Sequence, residues 1–312
     1  MSQAMNPHLL NDLRQVFQDR LQENVSLANY TTARVGGKTD GFIVIHTLDE
    51  FEKAVTLLWK MNAPFYVLGS GSNVLVSDNG YHGVILLNHA HTVKVDMNGN
   101  PPTVWAESGA SLSSMSRQVA LWGLSGLEWA ASIPGTVGGA VYGNAGAFGS
   151  DMSNCLLLAE ILHQNHNRET WSCDEFQFSY RSSQLKQLSG IATILSVRLK
   201  LVKSSKDQVQ ALMEENVEKR KRTQPPGASM GCMFKNPPEQ HAGRLIESSG
   251  MKGVRVGGAE VSSKHANFFV NHENATALDI YKLIRMTQEK VYKNTGIQLE
   301  PEIELLGDWQ EI

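Results

Sequence analysis

A mixed α+β fold in more than one domain is predicted by three observations. Strand-like apolar runs dominate about the first two thirds of the chain, the last third mixes helical periodicity with strands, and 312 residues exceed what one core ordinarily holds. Hydrophobic content of 41%, charged content of 19% and mean hydropathy of −0.25 are those of a soluble globular protein. A net charge of −3 gives no global pull toward nucleic acid or membrane. The start lacks a basic region followed by an apolar core, so no secretory signal is expected, and no run reaches the ~18 apolar residues of a membrane span. The three cysteines, Cys155, Cys173 and Cys232, are scattered and not in metal-ligand spacing. A cytoplasmic protein without a metal centre, and with no obligate protein partner evident, is the expectation.

In chain order, Leu10, Leu13, Phe17 and Leu21 fall at helical spacing. A short strand is expected at 42–45, a helix over 49–61 with Phe51, Ala54, Val55 and Leu58 on one face, and a buried strand at 65–68. That strand runs into Gly69-Ser-Gly-Ser-Asn73 before extended structure resumes at Val74. The dinucleotide fingerprint of a Rossmann fold needs a helix after its glycines, so this is not one. Successive N–H groups there suit a pyrophosphate, although an ordinary hairpin turn gives the same pattern. Further strands are expected at 84–87, 103–106, 156–162 and 191–202, with a helix around 113–122. Beyond residue 205, a helix marked by Val209, Leu212, Met213 and Val217 ends in the basic run 219–222 and is broken by Pro225-Pro-Gly227. Thr276 with Asp279 forms a capping-box start for a helix stopping at Gly296, and 299–305 reads as a last strand.

Six of the fifteen residues from Gly135 to Gly149 are glycine, which destabilises a fold unless backbone must approach something closely. Ile133, Val137, Val141, Tyr142 and Phe148 are too apolar for a linker, so a cofactor-cradling loop is expected. Three later segments carry chemistry. In Phe178-Ser-Tyr-Arg-Ser-Ser183, a guanidinium between aromatic and hydroxyl groups suits a carboxylate, or is a surface arginine. Cys232, between Gly231 and the bulky pair Met233 and Phe234, presents a thiol able to protonate a carbon base, or is a buried inert cysteine like Cys155 and Cys173. In Glu300-Pro-Glu302 the proline disturbs the strand and can aim a carboxyl that, held neutral, donates a hydrogen bond to an enolate, or these are exposed strand carboxylates, as Glu304 is expected to be. His265, within Ser262-Ser-Lys-His-Ala-Asn267, lacks partners at ligand spacing and reads as a core or cleft-edge histidine.

In this order the segments resemble those of the UDP-N-acetylenolpyruvoylglucosamine reductase family. The resemblance covers about 29–307 and rests on the segments 30–37, 69–73, 133–139, 180–182, 231–237, 242–246, 250–253 and 299–302. It implies an α+β fold with a two-subdomain FAD-binding region of the vanillyl-alcohol-oxidase (PCMH) type and a C-terminal α+β substrate-binding domain. The expected boundaries are an N-terminal helical segment 1–28, an FAD-binding domain 29–204 split near 70, and a substrate domain 205–312. It implies FAD contacts from Arg34 and Gly36, from Gly69, Ser70, Gly71, Ser72 and Asn73, from Ile133, Pro134, Gly135, Thr136, Gly138 and Gly139, and from Asn144, Ala145 and Gly146. The implied reaction uses NADPH to reduce the flavin, which passes hydride to UDP-N-acetylglucosamine enolpyruvate in peptidoglycan synthesis, and so serves cell-wall biogenesis, cell shape and division. By resemblance Arg181 binds the substrate carboxylate, Glu302 stabilises the enolate, and Tyr180, Lys235 and Asn236 lie near the substrate. The family's usual proton donor is serine; here it is Cys232. No extra substrate-clamping loop is present, as in the shorter, type II form. An FAD oxidase and a non-catalytic nucleotide-sugar sensor are the alternatives; no histidine lies in either glycine loop to link a flavin covalently.

Overall fold

The computed structural model describes residues 5–309; the first four residues of the expected N-terminal segment and the last three of the expected substrate domain lie outside them. The chain forms two compact units. One gathers the chain up to Phe42, Ser70–Val84 and the chain from Lys221 onward; the other comprises Ile43–Gly69 and Ile85–Arg220. The chain passes between them inside the strands Lys38–Ile45 and Tyr81–Asn88.

The unit ending at Arg220 is built on a five-stranded antiparallel sheet ordered Arg168–Ser172, Leu156–His163, Ala192–Lys200, Thr103–Glu107 and Val93–Asp96. Alternation along these strands sends Val104, Ala106, Ala159, Ile161, Val197 and Leu199 into one core. Helix Leu112–Leu121 closes it with Leu112, Met115 and Val119, and starts where the Ser111 hydroxyl accepts from the Ser114 amide. Trp171 meets Phe176 edge-on at 5.3 Å, and Phe176 stacks on Phe178 at 5.0 Å. This aromatic column anchors the turn that carries Arg181.

The other unit holds a four-stranded antiparallel sheet ordered Ala228–Cys232, Phe268–Asn271, Ala259–Val261 and Arg255–Val256. Helix Ala277–Thr295 packs Ile280, Leu283, Ile284 and Val291 into its core. The expected capping box is present at Thr276 and Asp279, and Gly296 ends the helix in the left-handed region. Asp78 adds a second cap: its carboxylate accepts from the Ala277 and Leu278 amides at 2.9 and 2.8 Å.

Two expectations need correction. The glycine-rich run is not loop throughout, because Val137–Tyr142 forms a short helix capped by the Thr136 hydroxyl. The last strand is not 299–305 but Glu304–Leu306, paired in parallel with Val74–Val76. Pro301 has no N–H for a ladder and makes only an isolated bridge with Phe234. Among the described residues no helix is long and apolar enough to cross a membrane.

Candidate active site

Arg181 stands on a two-residue turn closed by reciprocal bonds between Ser179 and Ser182, each 3.1 Å. Its φ of +57° is unusual for a side-chain-bearing residue and is held by its surroundings. The Gln184 amide donates to the Phe176 carbonyl at 2.7 Å, stapling the base of the turn to the aromatic column. The guanidinium donates to the carbonyls of Gly146 at 2.7 Å and Asn144 at 3.5 Å, and lies 5.1 Å from the centre of the Tyr180 ring. Asn144, 3% exposed, is fixed in turn: its amide nitrogen donates to the Ser179 carbonyl at 3.0 Å, and its oxygen accepts from the Ser153 amide at 3.1 Å. The Asn144–Gly146 segment and the Tyr180–Arg181 turn therefore form one structure.

Cys232 and Glu302 lie in the unit that does not contain Arg181. Cys232 ends the strand Ala228–Cys232 opposite Phe268, after a register break that follows Ser229. Gly231 turns the chain with φ +79°, and the half-buried Cys232 is followed by fully buried Met233 and Phe234, as its neighbours predict. The Glu302 amide donates to the Met233 carbonyl at 2.8 Å, and the Lys235 amide to the Glu300 carbonyl at 2.9 Å. The thiol and the carboxyl are thus carried on adjoining backbone. Asn73 joins the same arrangement: its side-chain amide donates to the Glu302 carbonyl at 3.2 Å, and its own carbonyl accepts from Glu304 at 2.9 Å.

The side chains expected near the substrate make contacts within the protein. Lys235 Nζ is 2.6 Å from a Glu300 carboxylate oxygen, and Asn236 accepts from the Ala242 amide at 3.0 Å to start helix Ala242–Ser248. Tyr180 is 51% exposed beside Arg181. The other two cysteines have raised thiol pKa values. Burial pushes Cys155 up to about 12, and desolvation followed by Asp174 also raises Cys173. No cluster of His, Cys, Asp and Glu suited to a metal occurs among the described residues.

The glycines of the expected FAD loops are of two kinds. A Cβ on Gly69 would lie 2.6 Å from Thr136 Oγ1, one on Gly138 2.7 Å from Ser108 Cβ, and one on Gly71 2.0 Å from the Tyr30 carbonyl oxygen. The protein's own packing demands these three, which the sequence ascribed to a ligand. At Gly139 a Cβ would meet only Thr136 Oγ1, at 3.4 Å, leaving bare main chain without an internal cause. At the start of the same segment, just before Ile133, the Ser132 hydroxyl is buried without a hydrogen-bond partner. Bare backbone with an orphaned hydroxyl fits a polar cofactor laid against 132–139. In the other unit, Arg34 with φ +56° closes a turn by donating its amide to the Thr31 carbonyl at 3.1 Å, and Gly36 follows with φ +130°. Sequence reading missed Asn267, 2% exposed, whose carboxamide bonds both backbone groups of Phe234. Its segment drew attention only to His265, whose pKa burial lowers.

Comparison with known proteins identifies two family models that match the chain. The model of the FAD binding domain matches residues 39–165, and that of the UDP-N-acetylenolpyruvoylglucosamine reductase C-terminal domain matches 222–306. The UDP-N-acetylenolpyruvoylglucosamine reductase of Anoxybacillus flavithermus is 39% identical over 310 residues, covering 96% of this chain and 98% of its own. That of Caldicellulosiruptor bescii is 40% identical over 290 residues, covering 91% and 90%. The crystal structure of the Thermus caldophilus enzyme matches with a TM-score of 0.79 at 37% identity, covering 92% of this chain and 99% of that one. The α+β expectation holds, and the chain belongs to the UDP-N-acetylenolpyruvoylglucosamine reductase family, with an FAD-binding domain and the oxidoreductase character that name carries.

Proposed function

We propose that the protein reduces UDP-N-acetylglucosamine enolpyruvate to UDP-N-acetylmuramate with NADPH, as a step of peptidoglycan synthesis. One observation supports the mechanism: the Glu302 amide donates to the Met233 carbonyl at 2.8 Å, so the residues bearing the acid and the thiol sit on adjoining backbone. FAD would be held by the segments 34–36, 69–73, 133–139 and 144–146, within an FAD-binding domain 29–204, with the substrate on 205–312. The chemistry supplied by the bound flavin is hydride transfer, from NADPH to the enolpyruvyl methylene carbon. Arg181 binds the substrate carboxylate through its planar fork and draws charge toward it. As that carboxylate becomes an enolate, Glu302 in its acid form donates a hydrogen bond to the developing charge. The Cys232 Sγ–H proton goes to the carbon beside the methylene, and the thiolate left behind is reprotonated from solvent. A thiol, with an ordinary pKa of about 8.5, is a stronger acid than the family's usual serine hydroxyl and so a better proton donor to carbon. Tyr180, Lys235 and Asn236 border the nucleotide-sugar. These two water-soluble, highly charged reactants imply a cytoplasmic setting.

Anaerobic stopped-flow absorbance tests the proposal. The yellow holoprotein should bleach with NADPH and recolour on addition of the enolpyruvyl substrate. Recolouring by oxygen but not by substrate would indicate an oxidase, and bleaching without recolouring would overturn the assigned substrate.

A further inference from the structure

We propose that Asn267 is a positioning residue for both the proton donor and the acid. Its carboxamide takes the place of a strand partner for Phe234 and so fixes Cys232 and Glu302 together. The inference rests on the function proposed above.

Pairing between Ala228–Cys232 and Phe268–Asn271 loses register after Ser229 and stops with Cys232 opposite Phe268. The next two residues are buried, at 0% and 1% exposure, so their backbone groups need partners inside the protein. Asn267 supplies them. Its main-chain carbonyl accepts from the Met233 amide at 2.7 Å, its Oδ1 accepts from the Phe234 amide at 2.9 Å, and its Nδ2 donates to the Phe234 carbonyl at 2.8 Å. A carboxamide offers an acceptor and a donor side by side, as a peptide unit does; a carboxylate, hydroxyl or hydrocarbon cannot offer both in that shape.

What Asn267 fixes is passed on. Met233, so held, accepts from the Glu302 amide at 2.8 Å, and Lys235 donates to Glu300 at 2.9 Å. Asn267 is itself secured by a closed turn. Its amide donates to His265 Nδ1 at 3.3 Å, the Phe268 amide donates to the His265 carbonyl at 2.9 Å, and the Ser262 hydroxyl accepts from the Lys264 amide at 3.1 Å. A cysteine side chain has a single heavy-atom torsion, so its sulfur goes where the backbone puts it. Misplacement by about 1 Å can cost 10²-fold in rate.

The test uses holoenzyme variants Asn267→Ala and Asn267→Asp beside Cys232→Ala, following flavin reduction by NADPH and reoxidation by substrate separately. Asn267→Ala should slow reoxidation by about 10–100-fold and leave reduction within about twofold. In Asn267→Asp, the ionised carboxylate cannot donate to Phe234 but the protonated acid can. Its reoxidation, expressed relative to wild type at each pH so that protonation of the neighbouring His265 cancels, should recover as pH falls from about 8 to about 5, a profile absent from the alanine variant. Residue-resolved hydrogen exchange should show the Phe234 and Glu302 amides at least ~10-fold less protected in Asn267→Ala, with the helix Ala277–Thr295 unchanged. Equal slowing of both half-reactions, or loss of Glu302 protection with reoxidation intact, overturns the positioning role. Unchanged exchange at Phe234 overturns the surrogate pairing itself. If Cys232→Ala reoxidises normally, the fault lies with the proton donor assigned to the reaction, and the catalytic part of this inference falls with it.

Discussion

Arg181 stands on a turn and reaches its contacts through a long side chain, whereas Cys232 has a short one and stands beside Met233, whose backbone is bonded to that of Glu302. The two regions solve one problem by different means. A guanidinium pinned by the carbonyls of Gly146 and Asn144 is located at its far end, so the turn beneath it can adopt the uncommon φ of +57°. The thiol of Cys232 has no such reach. Its unit therefore invests in main-chain order: a register break, a buried asparagine, and the amide of Glu302 on the carbonyl of Met233. Long side chains need anchors near their tips; short ones need anchored backbone.

The largest effect that could break this contrast is at the thiol. Cys232→Ala should slow substrate-driven flavin reoxidation by about 10²–10⁴ and leave NADPH-driven reduction nearly unchanged, while Cys232→Ser keeps much of the rate. Comparable loss in both half-reactions would mean damaged structure. Next comes the guanidinium: Arg181→Lys should cost about 10²–10³ in the same reoxidation step, nearly as much as alanine, because an ammonium cannot span two carbonyls and a carboxylate in one plane. A lysine variant close to wild type would remove the case for tip anchoring.

Stability separates the two kinds of glycine. Gly71→Ala meets the Tyr30 carbonyl oxygen at 2.0 Å in the left-handed region and should destabilise by at least about 1–3 kcal/mol in urea unfolding. Gly139→Ala should unfold near the wild-type midpoint yet hold FAD less tightly, measured by flavin fluorescence on dialysis. The smallest effect is electrostatic. Burial, then Lys252, lowers the His265 pKa, with Glu247 and its own backbone opposing. The unfolded chain then binds a proton that the folded one resists, so stability is full above the ordinary imidazole value of about 6.5 and declines as pH falls below it. Replacing His265 with glutamine should flatten the change in urea midpoint between about pH 7.5 and 5.5, and an unchanged slope would assign the dependence elsewhere.

Much of this was legible from local chemistry. Thr276, Asp279 and Gly296 spell out both ends of one helix, and Cys232 between a glycine and two bulky apolar residues announces a half-exposed thiol on packed neighbours. Pro301 signals a broken strand, although not that pairing resumes only at Glu304. What escaped was tertiary. Gly71 is glycine because of Tyr30, and Gly138 because of Ser108, and no window around either glycine contains its neighbour. Asn267 looks like any polar residue after a histidine until Phe234 is laid against it. The helix Val137–Tyr142 was hidden by glycines of low helical propensity, which the Thr136 cap and buried Val137 and Val141 override.

The parallel pairing of Val74–Val76 with Glu304–Leu306 has a consequence for how the chain is made. All of the unit ending at Arg220 has been translated before Lys221 emerges, so it can close while synthesis continues. Val74 must wait for a neighbour encoded about 230 residues later, and Asp78 must wait for the helix it caps. The unit bearing the thiol is therefore the later of the two to be completed, because Val74–Val76 lack their strand partner until residues 304–306 are made.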